Sequence, residues 1–187
     1  QKLNKDAAGS ALINFLVTDQ SGKNEPFKQA ENLQYVNRLV EFLNGQENVG
    51  KVLGLTELIR RINFALNDEE EKYNRVPPPS SDPASRHLIS QLLLLYENGG
   101  GDTLSDFTDS EYRRLNIPVI LQTNSSRDTF ELDRKVKAYV GIHFPAHISV
   151  DVSGSANVSV AATDEIVRGQ MVSLMVSFAV VLIMLFF

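Results

Sequence analysis

Every Asp, Glu, Lys and Arg of this chain lies at or before Arg168, and the run from Met171 to Phe187 holds only apolar residues and two serines, Ser173 and Ser177. Such a segment escapes water in one of two ways: burial in a protein core on all sides, or insertion in a bilayer. A core helix normally keeps a polar face, and here the only polar positions are the two serines, four apart on one side. The rest of a 187-residue chain has no room to bury that helix all round while filling its own core. At ~1.5 Å per residue the run covers ~25 Å, slightly short of a ~30 Å hydrocarbon layer, with the missing turn expected beyond Phe187. The sequence therefore predicts a truncated transmembrane helix over 171–187. Leu174, Phe178, Val181, Leu182 and Leu185 lie in the span, Arg168 sits near the extracytoplasmic boundary, and Ser173 and Ser177 face a neighbouring helix. A chain that opens at Gln1 and stops in mid-run at Phe187 reads as an excerpt from a longer polypeptide.

Hydrophobic residues make up 43% of the whole chain and charged residues 22%, which excludes collagen-like, disordered and polytopic classes. With the charge crowded ahead of Arg168, the first part is a soluble domain joined to an apolar end. The net charge is -5, and Arg60-Arg61 and Arg113-Arg114 are isolated pairs rather than a basic stripe, so no nucleic-acid partner is expected. The lack of cysteine rules out disulfides, Cys-ligated zinc and a thiol nucleophile, and is silent about compartment. No charged stretch followed by an apolar one stands at the start, so no signal peptide is read there.

Periodicity organises residues 1–155 into one domain. Ala11 to Thr18 is a near-continuous apolar run that suits a strand buried on both faces. Leu33, Val36, Leu39, Val40 and Leu43 recur at helical spacing from Ala30, and Asn44-Gly45 supplies a left-handed end. Val49 to Leu55 reads as a second strand. Thr56 then caps a helix with Leu58, Ile59, Ile62, Ala65 and Leu66 inward, ending in the acidic run Asp68 to Glu71. Four prolines between Arg75 and Pro83 suit an extended crossing. Asp82 and Pro83 open a helix with Leu88, Ile89, Leu92, Leu93 and Tyr96 on one side, closed by Asn98 to Gly101. A third strand alternates Leu115, Ile117, Val119 and Leu121 against polar neighbours, with Pro118 placing it at an edge or a bulge. Ser126 caps a helix carrying Phe130, Leu132, Val136, Tyr139 and Val140, ended by Gly141. Ile148, Val150 and Val152 alternate in a fourth strand. The order β, α, β, insertion, β, α, β predicts an α+β fold: a ferredoxin-like split βαβ sandwich with both helices on one face of a sheet that has strands one and three at its centre. Residues 56–109 are its helical insertion, and 156–170 a connecting helix leading to the transmembrane segment.

Little in this inventory carries chemistry. His143 and His147 stand four apart, but Pro145 between them breaks a common helical face and no carboxylate motif accompanies them, so ordinary surface histidines are expected rather than metal ligands. The cluster Gly99-Gly100-Gly101 follows a helix and no Lys follows it, which is a helix end rather than a phosphate loop. Asp68 to Glu71 lacks the spacing of a calcium loop. No nucleophile, base and acid assemble into a triad or a carboxylate pair, so neither an enzyme nor a cofactor is expected.

Several phrases are nonetheless distinctive in their order. Asn48-Val49-Gly50-Lys51-Val52-Leu53-Gly54-Leu55, followed by Thr56-Glu57-Leu58 and Asn63-Phe64-Ala65-Leu66-Asn67, resembles the strand and helix after the first helix in exporters of the RND superfamily, particularly the MMPL-like branch. Ile89-Ser90-Gln91-Leu92-Leu93-Leu94-Leu95-Tyr96-Glu97, the loop from Asp102 to Asp109, and Tyr112-Arg113-Arg114 continue the likeness. Val167-Arg168-Gly169-Gln170-Met171-Val172-Ser173-Leu174 resembles the start of the second transmembrane helix. The resemblance spans about Ala11 to Phe187, and Pro118 departs from the smooth β-branched strand it leads one to expect. It implies an extracytoplasmic porter domain of a bacterial inner-membrane efflux transporter, on the periplasmic side, in a polypeptide that moves hydrophobic or lipid-like molecules under a proton gradient. The proton relay of such transporters lies in later transmembrane helices, outside these residues. Implied partners are membrane lipid, a hydrophobic small-molecule or lipid substrate, the remaining transmembrane helices, a second porter repeat, and further copies in a homo-oligomer. Ile59, Ile62 and Phe64 on one insertion helix and Leu88, Leu92, Leu95 and Tyr96 on the other carry more apolar surface than covering the sheet demands. They are either ligand contacts or the mutual packing of a helical hairpin. A membrane-tethered sensor or assembly ectodomain, binding a partner without transport, is the alternative.

Overall fold

Alternation along the first strand, β1 (Ala11–Asp19), is strict: Ile13, Phe15, Val17 and Asp19 are buried, Leu12 is exposed, and Asn14, Leu16 and Thr18 are half-buried. A strand buried on both faces is thus corrected to one with a single covered face. The side chains of a strand alternate whatever their polarity, and the apolar residues at 12 and 16 fall on the uncovered side. The computed structural model describes residues 11–79, 83–101, 104–123, 125–153, 169–178, 181 and 184. Three further strands, β2 (Val49–Val52), β3 (Arg114–Leu121) and β4 (Ile148–Ser153), complete a four-stranded sheet of order β2-β3-β1-β4, antiparallel at every seam. β1 and β3 hold the centre, as the sequence predicts.

Pro118 lies on a central strand, since β3 runs between β2 and β1, but β2 pairs only as far as Val119, so on that side Pro118 stands where the ladder has ended. Its carbonyl accepts from Leu53 N–H at 2.9 Å. In an antiparallel strand a residue's nitrogen and carbonyl point to the same neighbour, so the donor that proline lacks faces β2 and not β1. β2 stops there: its last pair is Val52 with Val119, three residues before the expected end at Leu55. Gly54 then turns the chain into the next helix, and Thr56 is not the cap but a buried residue of the first turn, 1% exposed.

Helix α1 (Ala30–Asn44) lays Leu33, Val36, Leu39, Val40 and Leu43 on the sheet. It ends without a left-handed residue: Gly45 sits at φ -81°, and turns from Gln46 N–H to the Leu43 carbonyl and from Val49 N–H to the Gln46 carbonyl lead into β2. The insertion forms α2 (Leu55–Leu66), α3 (Pro83–Asn98) and the short α4 (Leu104–Phe107). Asp68 and Glu69, both with positive φ, end the turn after α2. Asn63 is buried in α2 and donates to the carbonyls of Tyr73 and Arg75, while Gln34 of α1 reaches those of Val76 and Pro77. These bonds tie down the extended crossing, whose proline N atoms offer no donors of their own. The predicted cap Asp82 lies outside the described residues. Gly100, at φ +87°, closes α3 as expected.

Helix α5 (Ser126–His143) completes the layer over the sheet with Leu132 and Val136 inward. Ser125, not Ser126, is its cap, accepting from Asp128 N–H. The helix runs past Gly141 to His143 because an exposed glycine does not stop a helix, and Pro145 does. Phe130, expected inward, is 53% exposed. α1 and α5 share one side of the sheet, joined by Phe42 stacked on Tyr139 with ring centroids 4.3 Å apart.

Beyond β4, residues 156–168 of the predicted connecting helix 156–170 lie outside the described residues, as do Leu182 and Leu185. Residues 169–178 are helical and exposed along their whole length. Among the described residues no helix is long and apolar enough to cross a membrane, so the structure does not show the expected transmembrane helix; Leu174, Phe178 and Val181 are uncovered.

Candidate functional site

The apolar residues that the sequence singles out on the insertion do not form one surface. Ile59 and Leu92 are core residues, 0% and 2% exposed, and Ile62 and Tyr96 pack against that core. Phe64 is half-buried. α2 and α3 pack against each other and against α1, which is the hairpin arrangement. What remains open is a ridge on α3: Leu88 at 37%, with Leu95 one heptad later at 54% and its neighbour Leu94 at 55%. Leu94 was missed because it falls off the helical period that marked the others.

The larger apolar surface is the tail. Leu174 is 70% exposed, Met175 72% and Phe178 69%. Among the described residues no element covers it, and residues 169–178 are exposed on every side of that helix.

At the turn joining α5 to β4, polar groups converge on one buried carboxylate. Asp19 ends β1 and is 2% exposed. Its Oδ1 accepts from the Ser21 amide at 2.8 Å and from the Ser21 hydroxyl, and its Oδ2 accepts from Asn32 Nδ2 at 3.1 Å. His147 Nε2 stands 3.7 Å from Oδ2. Each neutral donor replaces part of the hydration the carboxylate loses. The sequence signal was an Asp followed two residues later by Ser, the pattern of a side-chain-closed turn. His143 is elsewhere, its ring 4.4 Å from that of Tyr139, and His87 is exposed on α3. Among the described residues no group of three or more His, Cys, Asp or Glu could hold a metal ion.

No family model matches this chain, nor does any curated protein or solved structure. The geometry is therefore the ground for a functional reading.

Two charged knots brace the insertion. Burial raises the pKa of Glu57, but hydrogen bonds and charges from Arg60 and Arg61 outweigh it and hold the carboxyl below its ordinary value. The Tyr112 hydroxyl, pushed up to about 12 by burial and by the carboxylates of Glu97 and Glu25, donates to Glu97 at 3.3 Å. Lys28 lies 4.1 Å over the Tyr112 ring. Tyr112 itself has φ +50°, a left-handed conformation that costs a bulky residue energy and is held by its carbonyl accepting from Phe27 N–H. These contacts fasten the end of α3 to the segment before α1. They are structural ties within the fold.

Proposed function

We propose that this chain is the extracytoplasmic domain of a proton-driven RND-type exporter of hydrophobic or lipid-like molecules, seated on the periplasmic side of a bacterial inner membrane. The tail, on this reading, enters the bilayer as a transmembrane helix, and no residue has a catalytic role. The observation that carries the reading is the uncovered apolar helix at 169–178: exposed side chains such as Leu174 and Phe178 each gain ~1.5 to 3 kcal/mol by leaving water, and no element among the described residues covers them.

Two further features support it. The strand order β2-β3-β1-β4 with antiparallel seams is the order of a ferredoxin-like split βαβ sandwich, the architecture the resemblance implies. β1 begins and β4 ends at the same end of the sheet, where Asn14 pairs with Ser153. That arrangement suits a loop domain whose two connections both return to one membrane. The α3 ridge of Leu88, Leu94 and Leu95 is the apolar contact surface left for a lipid-like substrate or for a second porter repeat.

Reconstitution of the full reading frame into liposomes tests the reading. A fluorescent lipid analogue should be moved only while a proton gradient stands, and nigericin should abolish the movement. A reading frame with one or two membrane helices and no second copy of this domain refutes export and leaves a tethered sensor or assembly ectodomain.

A further inference from the structure

The helices cover one face of the sheet, and the other face has an ordered pattern of its own. We propose that this open face is a docking surface for a second copy of the chain, the two sheets packing face to face about a twofold axis that runs parallel to the strands.

Register fixes what the face carries. Leu12 stands opposite Ile120, which stands opposite Lys51; Leu16 stands opposite Asp151 on β4; Pro118 sits between those rows, and Arg114 opposite Thr18. Leu12, Leu16, Pro118 and Ile120 thus lie together on the two central strands, interrupted by Asn14 opposite Pro118 and by Asn116 opposite Leu16, with Leu12 56% exposed and Asn116 bonded to the Asp106 carbonyl. The charges divide by side. Lys51 and Arg114 lie on β2 and β3, Asp151 on β4, and all three are exposed. Among the described residues none of the three makes an ion pair within the chain.

A twofold axis along the strands sets the β2 and β3 half of one copy over the β1 and β4 half of the other. Arg114 of each copy then lies one row of the face, ~7 Å along the strands, from Asp151 of the other, on both sides of the interface, whereas Lys51 lies two rows from it; the apolar residues of the central strands meet in the middle, about 10 Å apart as stacked sheets are. The same axis keeps the start of β1 and the end of β4 of both copies on one side. An axis across the strands would send the two tails in opposite directions. That last point rests on the membrane reading; the central apolar residues and the division of charge do not.

The face is small. Four strands at ~4.8 Å spacing and about six residues at ~3.4 Å give a projected area of ~400 Å², below the size that holds a stable dimer together in dilute solution. Association is therefore weak for the free chain and strengthened when two tails share one bilayer, which raises the local concentration.

Because the chain has no cysteine, a single introduced thiol reports the contact cleanly. Asn14→Cys places one on the open face between Leu12 and Leu16. Ile142→Cys, 78% exposed on α5, places one on the helix layer as a control. The full 187-residue chain, in detergent micelles and in liposomes, is treated with a short bismaleimide. Asn14→Cys should cross-link at least about tenfold faster than Ile142→Cys, and adding Leu12→Glu should cut that rate about tenfold by burying a charge. Asp151→Arg should also slow it, and Arg114→Asp in the same chain should restore it. Equal rates at the two cysteines, or a rate indifferent to both Leu12→Glu and Asp151→Arg, would overturn the proposal and assign any dimer to the tail. Failure of the chain to float with liposomes would count against the membrane reading alone, since the micelle series still reports on the sheet face.

Discussion

The double substitution Leu174→Ser with Phe178→Ser separates two roles for the apolar tail. In the folded chain these side chains are 70% and 69% exposed, so replacing them removes almost no buried surface. The unfolding free energy should change by less than ~0.5 kcal/mol, as for other surface positions. Membrane affinity should behave oppositely. Burying a Leu or a Phe in hydrocarbon is worth ~1.5 to 3 kcal/mol each, so losing both weakens partition by ~3 to 6 kcal/mol, a factor of roughly 10² to 10⁴. The assay is paired: urea unfolding followed by far-ultraviolet circular dichroism, and flotation with neutral phosphatidylcholine vesicles. Phe15→Ala is the reference, since Phe15 is 0% exposed and its loss should cost ~3 to 5 kcal/mol of stability with flotation unchanged under native conditions. A double-serine chain that unfolds at clearly lower urea would mean that the tail packs against the sandwich, and the argument from uncovered apolar surface would fail.

The Thr56 hydroxyl is buried with no hydrogen-bond partner among the described residues, so Thr56→Val should raise the urea midpoint, by about 1 kcal/mol in free energy. Asn63→Ala removes two bonds to the crossing at Tyr73 and Arg75 and leaves those carbonyls short of a donor; a loss of ~2 kcal/mol and faster amide exchange at residues 73–77 should follow. Tyr112, with its folded pKa raised to about 12 from ~10 in the unfolded chain, contributes stability that is complete below pH ~10 and lost as pH rises towards 12. An unfolding curve measured across that window should fall for the native chain and flatten for Tyr112→Phe.

Strand and helix identity were legible in the sequence because each has its own repeat, and Leu33 to Leu43 or Leu115 to Leu121 repeat without ambiguity. β1 was misread for a physical reason: Leu12 and Leu16 make its run continuous, and an apolar residue on an open sheet face looks the same in sequence as one beneath a helix. Pro118 sits on a central strand and not an edge strand because a missing donor matters only on the side where it points, and there the β2 ladder has already ended at Val119. The left-handed turn expected at Gly45, where the helix does end, and the helix end expected at Gly141 were misjudged since glycine permits a left-handed turn without requiring one. The sheet-end carboxylate of Asp19 depends on Asn32 and His147, brought together only by the fold. One physical point connects these cases to function. An apolar residue declares that something must cover it, and periodicity names the cover only when it is another element of the same chain. Leu12, Leu16 and Ile120 on the sheet, Leu88 and Leu95 on α3, and Leu174 and Phe178 in the tail lack such a cover to differing degrees. On the readings proposed above, a second copy, a ligand and a bilayer, respectively, would supply the surface that this chain does not.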